Sequence, residues 1–449
     1  MESIKNVKGT HDVIGNEANL YSAVESLLKQ IAELFAYTEV RPPVLEYSQL
    51  FVRGVGESSD VVRKEMYTFD DKGGRSLTLR PEFTAGIMRL IVQNKLLATA
   101  SELPLKAYYC GPVFRYERPQ LGRYRQFNQF GVEAVGHNSP VNDVEVISMA
   151  YTMLFSLGLE NVTIKINTLG DDASRNAYKV ALKEYFADKI ENMCEDCKSR
   201  YELNPLRILD CKVPEDQEIV KGAPKMSDYL NEESKARFNK VLEGLTKLEI
   251  PFEVDDTLVR GLDYYSDTVF EFHYVSEKGN DYGAIGAGGH YDKLVHEIGG
   301  PDAPGIGFSF GIERLVSVIQ DDGLVPGGLD SGLDVYVMAL GEENRIHGLL
   351  LADQARLLGY RVDMCFDDTK VGNMFKRAEK KGARLAVIIG DNEVKEKKVL
   401  IKNMESKEQI EVPLKEYEDK LQELLSIESE QQRECCEGEE CCCKRKEEE

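Results

Sequence analysis

A change of periodicity at the turn-rich stretch Asp321 to Gly332 divides this chain into two kinds of sequence. Beyond the break, DVYVMAL, YRVDMCF and RLAVIIG read as buried strands separated by helices, and KVLIKN and QIEV supply two more strands. Strands that alternate with helices build a compact α/β domain, expected over residues 333–427 and closed by a helix from about Leu414 to Ile427. A chain of 449 residues is in any case too long for one ordinary core.

Before the break, aromatic and β-branched runs mark strands at Lys106 to Phe114, Gln126 to Val135, Val162 to Thr168, Thr268 to Tyr274, Gly283 to Gly286 and Gly305 to Phe310. The last leads into a helix from Ile312 to Ile319, and residues 17–36 carry one apolar stripe at helical spacing. That first helix runs into Arg41-Pro42-Pro43, where the prolines force extended chain suited to a sheet edge. Between about 170 and 250 the strand signal gives way to helical periodicity, which predicts a helical insertion. The expected fold class is α+β: an antiparallel-sheet domain over residues 1–325 flanked by helices, then the separate α/β domain. Residues 428–449, ESEQQRECCEGEECCCKRKEEE, read as a disordered tail.

The formal charge of −22 excludes broad adhesion to nucleic acid, so any RNA contact must be local. The segment from Arg115 to Arg125, with Arg118 and Arg123 between, is such a strip. No window approaches the roughly 18 to 20 apolar residues that span a bilayer, and MESIKNVKGTHDV lacks the form of a secretory leader, so a cytoplasmic protein without membrane contact is expected. Five of the ten cysteines crowd into the tail and the rest are scattered, which is no disulfide framework. Cys194, Cys197 and Cys211 offer a C-x2-C pair with a third thiol, one ligand short of a closed zinc site, and no metal is assigned to them.

Four segments carry chemistry in combination. In LRPEFTAG, Glu82 and Thr84 could hold an ammonium group, although taken alone the segment reads more readily as a routine helix start, with Thr84 as the cap and Glu82 solvated. In GPVFRYERP and GRYRQFNQFGVE, strand alternation puts Phe127, Gln129 and Glu133 on one face, and Arg115 suits a nucleotide phosphate. LVRGLDYYS with the glycine-rich AGGHYD would let a flat ligand approach backbone beside paired tyrosines. GIGFSFGIERL is a strand that turns on glycine into a helix with Arg314 in its first turn, where an anion is favoured.

Together these segments resemble the histidyl-tRNA synthetases, a family of the class II aminoacyl-tRNA synthetases. FRYERPQLGRYRQF looks like the family's motif 2, GIGFSFGIERL its motif 3, and the first helix with TEVRPPVLEYSQLF its dimer-forming motif 1. LVRGLDYYSDTVFEF and AGGHYDKLV resemble the two histidine-specific signatures, and the likeness spans roughly residues 1 to 425. It implies ATP and Mg2+, the partners L-histidine and tRNA(His), a homodimer, and a carboxy-terminal anticodon-binding domain.

Carried over by position, the resemblance implies that Glu82 and Thr84, assisted by Gln129, hold the substrate amino group, and that Glu133 and Tyr265 grip the imidazole nitrogens. Tyr264 and Tyr291 would complete that pocket. Arg115 and Arg260 would bracket the α-phosphate and reacting carboxylate, Glu117 would lie near adenine or metal, Phe127 would stack on adenine, and Arg314 would hold the γ-phosphate. Gln120, Arg123 and Arg125 are the candidates for the tRNA acceptor end. The sequence departs from the pattern at His290, usually arginine, and at Phe83, glycine in many bacterial members. Related non-catalytic regulators typically lack the last domain and parts of these motifs, and both are present in this chain.

Overall fold

Leu20, Val24, Leu28 and Ile31 recur at helical spacing and are buried along one side of the helix Asn16–Leu34. The chain leaves it through the two-residue strand β1, Thr38–Glu39, and the prolines at 42 and 43 permit no more strand there. Their carbonyls are not wasted: buried Arg80 donates to Pro42 O at 2.8 Å and to Pro112 O at 2.8 Å, which ties the turn to the sheet. Strands β2 (Leu45–Tyr47), β3 (Tyr67–Asp70) and β4 (Ser76–Leu79) form a small antiparallel sheet ordered β2-β4-β3.

The structure is a computed structural model that describes residues 3–118, 122–327, 332–367 and 369–426. It forms two units, Met1–Pro326 and Gly327–Glu449. The first is built on an eight-stranded sheet that adds β5 (Leu105–Phe114), β6 (Gln126–Val135), β7 (Val162–Thr168), β8 (Phe252–Val254), β9 (Ser266–Val275), β10 (Asp281–Tyr291) and β11 (Gly305–Gly311) to β1. Its order is β1-β5-β6-β11-β10-β9-β7-β8, with only the edge pairs β1–β5 and β7–β8 parallel. Non-sequential neighbours such as β6 and β11 bring distant segments side by side, with Glu133 opposite Gly307.

The stretch from 170 to 250 is helical, with Asp172–Phe186, Glu195–Leu203, Pro214–Val220 and Glu232–Lys247 as its α-helices. Buried Tyr178, Leu182, Phe186 and Ile208 join Tyr265 and the sheet residues Val269 and Tyr291 in one core, so these helices extend the first unit's interior.

In the second unit, β12 (Val335–Ala339), β13 (Val362–Met364), β14 (Leu385–Ile389), β15 (Lys398–Asn403) and β16 (Gln409–Pro413) make a mixed sheet ordered β13-β12-β14-β15-β16. All five residues of β12 and of β14 are buried, as the continuous apolar runs predict for parallel neighbours covered on both faces. Leu351 and Ala355 of the helix Arg345–Leu357 pack on one face with Tyr417, and Met374 and Ala378 of Val371–Lys380 on the other. The last helix covers 417–426 of the described residues, and the expected tail lies outside them.

Candidate active-site cleft

Alternation along β6 sends Phe127, Gln129 and Glu133 to one face of the sheet, and all three line a cleft of about 400 Å³. Glu133 is 1% exposed and is held at both oxygens: Thr84 Oγ1 donates to Oε1 at 2.7 Å and Tyr291 OH donates to Oε2 at 2.8 Å. Burial pushes its carboxyl up to about 8, outweighing the lowering by those two donors. At neutral pH it is therefore chiefly a neutral acid facing the cleft.

The helix start read from LRPEFTAG takes a different form from the simple cap. Glu82 is buried, and its carboxylate accepts from the backbone N–H of Thr84 at 2.7 Å and of Ala85 at 2.9 Å, satisfying the free amides that open the helix Thr84–Gln93. Thr84 is thereby released from capping and turns its hydroxyl to Glu133.

Arg115, Arg260 and Arg314 come from three distant segments and all line this cleft, as do Tyr264, Tyr265 and Tyr291. Arg115 is positioned by a bond from Nε to Pro81 O at 2.8 Å, and its guanidinium lies 5.4 Å from the Phe127 ring centre. Arg260 is paired with Glu271 and lies 5.5 Å from the Tyr265 ring. Arg314 donates to Ala284 O, which fixes it at the start of the helix Ile312–Asp321. Tyr264 and Tyr265 bring their hydroxyls to 3.5 Å from each other. Arg260 Nε and Gln129 Oε1 are among the buried polar atoms that make no hydrogen bond among the described residues. Such atoms are costly unless a ligand completes them.

Glu117 sits at the cleft wall, 3.8 Å from Arg115 and 3.9 Å from Arg123. Arg123 is 47% exposed, and Arg125 stacks its guanidinium 3.8 Å over Tyr116. Gln120 lies outside the described residues.

The backbone opposite these side chains has to come close, and glycine is what allows it. A Cβ on Gly307 of β11 would stand 2.1 Å from Glu133 Oε2, and one on Gly131 of β6 would stand 2.3 Å from Tyr109 OH. Both distances are far inside contact, so the cleft floor exists only with glycine there.

The two departures lie off the substrate face. Phe83 is 2% exposed and stacks on Tyr109 at 4.3 Å, with the Arg80 guanidinium 3.8 Å over its ring. His290 is fully buried, with Nδ1 3.2 Å from Asp143 and Nε2 3.2 Å from Asp292. Burial opposes its charge, but Asp143 and Asp292 raise it to about 9, so the site keeps a cation where the family carries arginine. Arg237 donates to Asp143 at 2.9 Å and closes the cluster.

The sequence reading missed several lining residues, among them Asp60, Glu65, Arg207, Glu271 and Glu313. Glu271 was legible: in VFEF it is an acid alternating with two buried phenylalanines, which sets it on the opposite face. Glu313 accepts from Asn128 N at 2.9 Å, and burial drives its carboxyl up to about 7. Arg207 comes from the insertion and pairs with Asp60 of the segment before β3 at 2.7 Å, and nothing local in sequence marks either.

A largely antiparallel sheet whose cleft gathers three arginines from separate motifs together with a buried glutamate defines a class II aminoacyl-tRNA synthetase core. Residues 9–315 match the family model for histidyl-tRNA synthetase, and residues 334–424 match the model for an anticodon binding domain. A histidine–tRNA ligase of Geobacillus sp. strain WCH70 is 46% identical over 419 residues, 93% of this chain and 99% of that protein. One from Bacillus subtilis strain 168 is 46% identical over 411 residues, 91% and 96% of the two chains. The crystal structure of apo histidyl-tRNA synthetase from S. aureus superposes with a TM-score of 0.79 at 35% identity, covering 93% of this chain and all of that one. This chain belongs to the histidyl-tRNA synthetase family.

Proposed function

We propose that this chain activates L-histidine with ATP, forming histidyl-adenylate and pyrophosphate, and then transfers histidine to the 3′ end of tRNA(His). The observation that carries the reading is the single cleft in which Glu133, Thr84 and Tyr291 form a hydrogen-bonded floor beside Arg115, Arg260 and Arg314. Glu133 and Tyr265 hold the imidazole nitrogens, with Tyr264 and Tyr291 as walls. Fixed polar partners on both ring nitrogens reject side chains that would leave them unpaired. Glu82, Thr84 and Gln129 take the ammonium group. The unsatisfied Gln129 Oε1 and Arg260 Nε are an acceptor and a donor suited to a bound amino acid and its reacting carboxylate.

In the first step the histidine carboxylate attacks the α-phosphorus and pyrophosphate leaves. Arg115 and Arg260 meet the negative charge that grows there, and both are anchored before substrate arrives, by Pro81 O and by Glu271, so little reorganisation is required. Phe127 stacks on adenine and Arg314 receives the γ-phosphate. The carboxylate of Glu117, whose nearest arginine contacts are 3.8 and 3.9 Å, suits a hard cation. It would hold Mg2+, which neutralises phosphate charge. In the second step the terminal ribose hydroxyl attacks the anhydride, AMP leaves, and Gln120, Arg123 and Arg125 contact the acceptor end.

The second unit, matched as an anticodon binding domain, engages the other end of tRNA and separates this reading from that of a non-catalytic regulator. A homodimer is part of the proposal: the small sheet leaves Leu45, Tyr47 and Phe69 half exposed. No helix among the described residues is long and apolar enough to cross a membrane, and we assign the work to the cytoplasm.

The test is ATP–pyrophosphate exchange with each amino acid offered singly. Exchange is expected with histidine alone, and Arg260→Ala should lower it by roughly 100- to 1000-fold with the fold intact by circular dichroism. Exchange supported by another amino acid, or none with histidine, overturns the reading; near-normal exchange by the variant removes Arg260 from the chemistry.

A further inference from the structure

The three thiols that the sequence left one ligand short acquire a fourth group in the fold. Cys194 precedes the helix Glu195–Leu203, Cys197 lies in its first turn, Cys211 follows the 3-10 turn Pro205–Asp210, and Asp216 lies in the first turn of Pro214–Val220. One ligand atom from each of the four falls within 4.8 Å of all the others. Cys194 Sγ and Cys211 Sγ are 3.8 Å apart, and Asp216 Oδ2 is 3.2 Å from Cys211 Sγ. A tetrahedral zinc with bonds of about 2.3 Å to sulfur places its sulfurs roughly 3.8 Å apart, so the spacing is that of a metal's first coordination sphere. The Cys197 N–H points to Cys194 Sγ at 3.4 Å, and the Cys194 N–H donates to Asp216 Oδ2 at 3.1 Å, so backbone dipoles already support anionic ligands. Cys197, Cys211 and Asp216 are buried, and Cys194 is partly buried.

We infer that Cys194, Cys197, Cys211 and Asp216 bind one structural divalent ion of the zinc class. Three thiolates select a thiophilic metal over magnesium or calcium, and four protein ligands leave no open position for catalysis. A disulfide between Cys194 and Cys211 would use two of the sulfurs and leave no reason for Cys197 and Asp216 to converge on them. The ion has a mechanical task. Between the second and third thiols run Arg200, Asn204 and Arg207, which reach out of the insertion to the cleft wall. Arg200 and Arg207 donate to Asp60 Oδ2 at 3.2 and 2.7 Å, and Asn204 donates to Asp263 Oδ1 at 2.9 Å, next to Tyr264. Clamping both ends of that segment fixes the wall against which substrates bind.

The tail holds five more cysteines, Cys435, Cys436, Cys441, Cys442 and Cys443, so the test starts from the full chain with those five replaced by serine. Purified under reducing conditions, it is expected to carry about one zinc per chain by elemental analysis. After stripping with a chelator, added Co2+ should give the visible bands of tetrahedral thiolate coordination. Adding Cys197→Ser or Cys211→Ser should abolish stoichiometric zinc, and Asp216→Ala should weaken retention at least tenfold. Because a cysteine variant can fail to fold, the Co2+ spectrum of the stripped parent decides independently. A parent that holds no zinc and gives no such spectrum, or peptide mapping that finds Cys194 and Cys211 joined as a disulfide in the reduced preparation, overturns the inference. Metal unaffected by Cys197→Ser and Cys211→Ser does the same.

Discussion

Glu133 is an ordinary glutamate in a place that changes its chemistry. Its raised pKa means that the folded state binds its proton more tightly than the unfolded chain does. The sign of the linkage follows: as pH climbs from the unfolded value near 4.5 to the folded value of about 8, the unfolded chain gives up a proton that the fold retains, and stability falls progressively. At about 1.4 kcal/mol per pKa unit, the contribution is on the order of a few kcal/mol. Glu133→Gln keeps the shape and cannot ionise. Its thermal midpoint relative to the parent should rise between pH 5 and pH 8, while histidine-dependent exchange falls by at least tenfold; a pH-independent difference would sink this account. His290 has a linkage of the same sign: its raised pKa gives the fold a benefit that is full below the ordinary value of 6.5 and is lost as pH climbs from there through about 9. The charge that replaces the family's arginine is thus present throughout the physiological range.

At the scale of elements, the sheet was legible because its strands announce themselves. Lys106 to Phe114 and Gln126 to Val135 carry enough aromatic and β-branched residues to fix both strands, and alternation gave the shared face of Phe127, Gln129 and Glu133. The family resemblance supplied what alternation could not, the expectation that Arg115, Arg260 and Arg314 serve one nucleotide, whereas the pairing of β6 with β11 was not legible in the sequence. The role of Glu82 escaped because preference for serine or threonine at helix starts describes the common case, whereas here a buried carboxylate two residues earlier takes both amides. Asp216 escaped as a partner of the thiols because a lone acid in PEDQEIV has no local mark. Gly307 makes the element-level prediction. A methyl there meets Glu133 and the Val132 carbonyl at 2.1 and 2.4 Å, so β6 and β11 must part or Glu133 must turn away. Gly307→Ala should cost about 1 to 3 kcal/mol in denaturant unfolding and raise KM for histidine more than KM for ATP. Equal effects on both constants would show that the residue acts through general loosening.

For the whole molecule, a net charge of −22 and a polyanionic substrate must be reconciled. Most of the surface repels tRNA, so attraction has to come from a few exposed cations such as Arg123, 47% exposed beside the cleft. Two steps that share one cleft should then respond differently to salt. Arg123→Ala is expected to slow tRNA charging several-fold while leaving pyrophosphate exchange within twofold, and added salt should depress charging first; a parallel loss of both reactions would place Arg123 in activation instead. The close approaches at Gly131 and Gly307 carry a broader implication for this architecture. The binding volume is carved by side chains that are missing as much as it is lined by those present. A designer seeking to admit a different amino acid would therefore begin at the blank positions of β6 and β11, where a single carbon resets the dimensions of the chamber.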